Sequence, residues 1–129
     1  MTVSRGAHPL ANVGPVLENF AIGEIARQLT WADASVQLHH YRDRDGYEVD
    51  CVLEHESGDV VGVEIKAAET VRTDDFRGLR QLHRRAGSRF VAGFVLYAGP
   101  EQLPFGDRLT CLPLAALWQA GGEGQGGRT

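Results

Sequence analysis

The sequence predicts an α/β domain in which helices flank a central mixed sheet, with elements in the order helix, three strands, helix, strand. Three observations carry this. Apolar residues recur at helical spacing from Leu17 to Leu29, the period drops to two from Val36, and helical spacing returns from Phe76 to Ala86 before the near-continuous apolar run RFVAGFVLY. At 129 residues, with 43% hydrophobic and 23% charged side chains, the chain suits one globular domain with a real core.

Residues 1–13 lack periodicity and read as a lead-in or a joint to an upstream segment. Gly14-Pro15 opens the first helix, with proline where its missing donor costs nothing. Its apolar residues Leu17, Phe20, Ala21, Ile22, Ile25 and Leu29 cover a wide face, as expected of a helix packed on a sheet. Three extended stretches follow, VQLHHYR, YEVDCVLE and DVVGVEIKA, expected to form an antiparallel meander. DDFRGLRQLHRRAG reads as the second helix, with Phe76, Leu79, Leu82 and Ala86 inward and Gly87 as its stop. RFVAGFVLY fits a central strand covered on both faces. LTCLP is expected at a sheet edge and LAALW as a last helical turn, so the domain spans residues 14–118. The glycine-rich tail, residues 119–129, is expected to be disordered.

The formal charge of −4 argues against coating nucleic acid by bulk electrostatics, yet Arg72, Arg77, Arg80, Arg84, Arg85 and Arg89 cluster against only Asp74 and Asp75. No eighteen-residue apolar run and no secretory leader are present, which predicts a cytoplasmic protein without membrane contact. Cys51 and Cys111, far apart in apolar stretches, suit small buried hydrophobes better than a disulfide or zinc site. Lys66 is the only lysine among thirteen basic side chains, which suggests a position where a compact ammonium is wanted rather than a guanidinium fork.

The second and third strands can be registered by parity. Tyr47, Val49, Cys51 and Leu53 on one and Val61, Val63, Ile65 and Ala67 on the other are all odd, so opposed residue numbers must sum to an even value. A three-residue loop Glu56-Ser57-Gly58 satisfies this, with Gly58 in the left-handed position and His55 facing Asp59. Asp50 then lies opposite Glu64 and Glu48 opposite Lys66, all on the non-core side. Like charges so placed destabilise by roughly 0.2–1 kcal/mol unless a cation sits between them. Two readings follow: a polar face solvated in high dielectric, or a pair of carboxylate arms for Mg²⁺ or Mn²⁺. Glu18 favours the second. It shares a helical face with Ile22, Ile25 and Leu29, points toward the sheet, and needs either a metal or an arginine such as Arg42 as partner.

Glu18 on the opening helix, Asp50 on one strand and Glu64-Ile65-Lys66 on the next resemble the PD-(D/E)XK nuclease superfamily, whose restriction endonuclease-like core has the order αβββαβ. GPVLENF, YRDRDGYEVDCVLE and VVGVEIKA are more closely similar to the nuclease-like C-terminal domain of unknown function carried by prokaryotic AAA-type ATPases. The superfamily's proline is replaced by Val49, and no P-loop GxxxxGK[ST] occurs, so the chain by itself is no ATPase. The resemblance implies that Asp50, Glu64 and the Ile65 carbonyl ligate Mg²⁺ or Mn²⁺, that Glu18 assists through water or a second ion, and that Lys66 polarises the attacking water. Gln81 corresponds to an active-site glutamine of some relatives. The implied reaction is hydrolysis of DNA phosphodiesters. Arg77, Arg80 and Arg84 form a stripe suited either to phosphate contacts or to a solvated face, and Arg42 is a further phosphate contact. The expected partners are DNA, an AAA-type ATPase domain in cis or in trans, and a second copy of the chain. The other reading is a non-catalytic DNA- or protein-binding module beside such an ATPase.

Overall fold

The structure is a computed structural model that describes residues 21–25 and 35–117. Glu18, most of the segment expected to form the first helix, Trp118 and the glycine-rich tail lie outside the described residues. Residues 21–25 are helical, and we call this segment α1. There follow β1 (Val36–Arg42), β2 (Glu48–His55), β3 (Val60–Lys66), a 3₁₀ turn (Thr73–Phe76), α2 (Arg77–Ala86), β4 (Phe90–Tyr97), β5 (Leu103–Gly106) and β6 (Leu109–Pro113). One six-stranded mixed sheet runs in the order β1-β2-β3-β4-β6-β5. The first three strands are antiparallel, β4 is parallel to both β3 and β6, and β5 closes antiparallel on β6.

β4 is interior, as its apolar run predicts, because α2 lets the chain cross over and return parallel to β3. LTCLP forms β6, which is not an edge strand. It lies between β4 and β5, and the outer position goes to LPFG, whose proline suits an edge.

The β2–β3 hairpin has the predicted register: Cys51 faces Val63 and Leu53 faces Val61, while the His55 N–H donates to the Asp59 carbonyl at 2.9 Å across a turn with Gly58 at φ 100°. The expectation that one face of this hairpin is core and the other solvent is overturned. Between the pairs His39↔Val52 and Tyr41↔Val49, β2 carries Asp50 and Cys51 opposite the single residue His40. This is a β-bulge, and it shifts the side-chain parity of β2. Val49 and Val52 consequently pack with α2, whereas Cys51 and Leu53 pack with Ala21 and Ile25 of α1 on the opposite face.

Both faces are therefore covered. On the α2 side Phe76, Leu79, Leu82 and Ala86, the four residues expected to point inward, join Val49, Val52, Val60, Phe90 and Val95. The helix seats on glycine: a Cβ on Gly62 of β3 would lie 2.5 Å from Leu79 Cδ2 and 2.9 Å from Leu82 Cδ2. α2 ends where Gly87 adopts φ 60°. Among the described residues no helix is long and apolar enough to cross a membrane.

Candidate functional site where β2 and β3 part

The β2–β3 ladder stops at Cys51↔Val63. Beyond it Val49 and Glu48 pair only with β1, and Glu64, Ile65 and Lys66 only with β4. Side chains bridge the gap. The Asp50 N–H donates to Glu64 Oε1 at 3.0 Å, and the Ile65 N–H donates to Asp50 Oδ2 at 2.8 Å. Asp50 and Glu64, expected to oppose one another, are not a ladder pair; each carboxylate instead accepts an amide from the neighbouring strand, which meets donors that the parted ladder leaves over and holds both acids in place.

The first turn of α2 closes one side. A Cβ on Gly78 would fall 2.0 Å from the Glu48 carbonyl oxygen and 3.4 Å from Glu64 Oε2. Glu64 therefore sits beside a helix N-terminus, whose dipole favours a negative group by about 0.3–1 kcal/mol.

Lys66 does not pair with Glu48 across the strands. Its Nζ lies 2.5 Å from Oδ2 of Asp75, in the 3₁₀ turn. Glu48 instead lies 3.8 Å from Arg42 Nε and 3.5 Å from His40 Nε2. Asp50, Glu64, Ile65, Lys66, Asp75 and Val95 line one cleft of about 320 Å³. A second cleft of about 340 Å³ shares Glu64 and Asp75 and adds Tyr47, Glu48, Asp74, Arg77 and Gly78. Asp50, Glu64, Ile65 and Lys66 are thus brought together as expected. Asp75 was not singled out by sequence reasoning, and its only signal was the acidic pair ahead of Phe76.

Of the other expected site residues within the described part of the chain, Arg42, Gln81, Arg80 and Arg84 line neither cleft and Arg77 lines the second. Gln81 is buried, donates Nε2–H to Asp43 Oδ2 at 3.0 Å, and accepts from Arg84 Nη2 at 2.7 Å. It belongs to a staple between α2 and the β1–β2 turn. Asp43, with its side chain 7% exposed, also accepts from the Tyr41 hydroxyl and from the Asp45 and Tyr47 amides, with Arg85 Nη2 at 3.7 Å. Burial pushes the Asp43 carboxyl up, but the bonds from Gln81, the Tyr47 amide, Tyr41 and the Asp45 amide outweigh it and hold the group below its usual 3.8. Arg80 Nη1 donates to the Thr73 carbonyl at 2.9 Å. Arg77, stacked over the Tyr47 ring at 5.1 Å, is the member of the predicted stripe that borders the clefts.

Among the described residues no three His, Cys, Asp or Glu side chains converge to hold a metal ion. Mg²⁺ needs fewer protein ligands, since it is commonly held by one or two carboxylates and keeps several waters. Asp50 and Glu64, with the Ile65 carbonyl adjacent in sequence, are hard oxygen donors that fit Mg²⁺ or Mn²⁺. A family model described as a domain of unknown function, DUF4143, matches residues 13–117. The chain belongs to the DUF4143 family. The match covers every element of the DUF4143 sheet and both clefts. No curated protein matches this DUF4143 chain.

Proposed function

We propose that the cleft between β2 and β3 is the centre of a metal-dependent nuclease that hydrolyses DNA phosphodiesters. The observation that supports this reading is the convergence of Asp50, Glu64, Ile65 and Lys66 on one cleft, with both carboxylates anchored by amides of the opposite strand. A bound Mg²⁺ or Mn²⁺ supplies Lewis acidity and a more acidic water. Asp50 and Glu64 would hold it, with the Ile65 carbonyl, and Glu18, from outside the described residues, would assist through water or a second ion. Lys66 presents an ammonium at the cleft wall, where it orients water and offsets charge on the phosphate. Arg77, exposed beside the same wall, binds a flanking phosphate. The family is known from proteins associated with AAA-type ATPases, which fits such a domain working beside an ATPase.

A second reading has its own support. Asp75 already pairs with Lys66, and the chain carries a formal charge of −4, both of which suit a non-catalytic module beside an ATPase. Two measurements separate the readings. Under the nuclease reading, Mn²⁺ supports cleavage of DNA that EDTA and Lys66→Ala each abolish. Mn²⁺ at about a hundred times its dissociation constant also stabilises the fold by roughly 2.7 kcal/mol, and Asp50→Asn loses most of that gain. No cleavage and equal melting shifts in both proteins would favour the module.

A further inference from the structure

Lysine is a poor fixed tool by itself, because its four-carbon stem carries about 2 kcal/mol of rotamer entropy and its ammonium is strongly hydrated. A lysine that acts at one place needs something to hold it there. In this cleft that partner is Asp75, whose Oδ2 lies 2.5 Å from Lys66 Nζ with both side chains only about a quarter exposed.

Asp75 is itself held. The same oxygen accepts the Arg72 N–H at 2.7 Å, and Asp75 precedes Phe76, which is fully buried and stacked on Phe105 at 4.8 Å. Arg80, from α2, bonds the carbonyl of Thr73 at the start of the same turn. An unbroken line of contacts therefore leads from the core through the 3₁₀ turn to the lysine head.

We infer that Asp75 is a positioning residue: it fixes the Lys66 ammonium at the wall of the Asp50–Glu64 cleft and thereby couples the 3₁₀ turn to the chemistry there. The role in catalysis rests on the nuclease reading of the cleft, whereas the hold on the lysine does not.

Because Lys66 is the only lysine in the chain, ¹³C,¹⁵N-lysine labelling isolates one side chain with no assignment problem. Asp75→Asn suits the test, since one neutral amide oxygen then serves both the Arg72 N–H and the Lys66 ammonium, so the turn stays capped while the charge-assisted hold on the lysine is lost. In the folded wild type the two ε-methylene protons of Lys66 give separate shifts. In Asp75→Asn they collapse to one averaged signal, and Asp75→Glu restores the separation in part. Averaged ε-protons in the wild type overturn the inference with no variant needed, as does an unchanged lysine spectrum in Asp75→Asn. In Mn²⁺-dependent cleavage Asp75→Asn lowers kcat about tenfold or more with little change in KM, as expected when a reacting group is misplaced rather than removed. An unchanged kcat overturns the catalytic role. Separate ε-shifts without any wild-type cleavage sink the nuclease reading alone and leave Asp75 holding Lys66.

Discussion

Asp50 and Glu64 lie just past the end of the β2–β3 ladder, and each carboxylate meets a backbone amide of the other's strand. Such a pair is more than tolerated, because the acids substitute for missing ladder carbonyls. Asp50→Asn keeps an oxygen acceptor, relieves the repulsion, and should leave stability within about 1 kcal/mol of wild type. Asp50→Ala strands the Ile65 N–H and should cost about 1–3 kcal/mol, measured by urea denaturation. Equal effects of the two substitutions would show that the amide bond contributes nothing. Asp43 supplies a pH test away from the cleft. Its carboxyl is held below 3.8 in the folded protein, so its contribution is complete above that value and is lost as pH falls through the lower, folded one. The stability gap between wild type and Asp43→Asn should therefore be widest near neutrality and close below pH 3.8 in melting curves taken across the acid range. Cys51 completes the residue-level picture. Burial, helped by the charge of Asp50, pushes its thiol up to about 11, so it serves as packing rather than as a nucleophile.

Among the elements, α2 does most to shape the cleft. It approaches β2 so closely that Gly78 leaves no room for a methyl group against the Glu48 carbonyl. Gly78→Ala should destabilise the fold by about 3 kcal/mol or more and weaken any metal-induced stabilisation, because the helix must lift away from Glu64. A melting curve like that of the wild type would refute this packing. The same elements show where sequence reasoning succeeds. The hairpin register follows from parity and the Gly58 turn alone, since pairing opposes Cys51 to Val63 whatever covers the faces. The faces themselves depart from the two-residue period. Parity continues only along an unbroken ladder, and the bulge at Asp50 and Cys51 breaks it without any sequence signal that a two-residue period can register. β5 escaped notice because a four-residue strand containing proline has little periodicity to detect.

Across the whole molecule, the cleft proposed as the site is legible in the sequence where its residues are neighbours on one hairpin and illegible where other elements bring them in. Parity brought Asp50 and Glu64 together, but it also set Lys66 against Glu48, and the ladder ends at Cys51↔Val63 before that pair can form. Asp75 could not be placed in this way, since no helix or strand period links it to Lys66, and the bond from Gln81 to Asp43 is equally invisible to periodicity. The parallel pairing of β3 with β4 has a consequence for the order in which the protein folds. A hairpin with a three-residue loop closes in about 1–10 μs, whereas β4 can join β3 only after the whole α2 crossover has been laid down. The carboxylate pair therefore belongs to the closure of the hairpin, whereas the pairing of β3 with β4 comes later. Leu79→Ala, in the crossover helix, should slow refolding in stopped-flow experiments, while Phe105→Leu in the edge hairpin should chiefly speed unfolding. A chevron in which Leu79→Ala moves only the unfolding arm would place the packing of α2 after the transition state, and the crossover would then not set the folding rate.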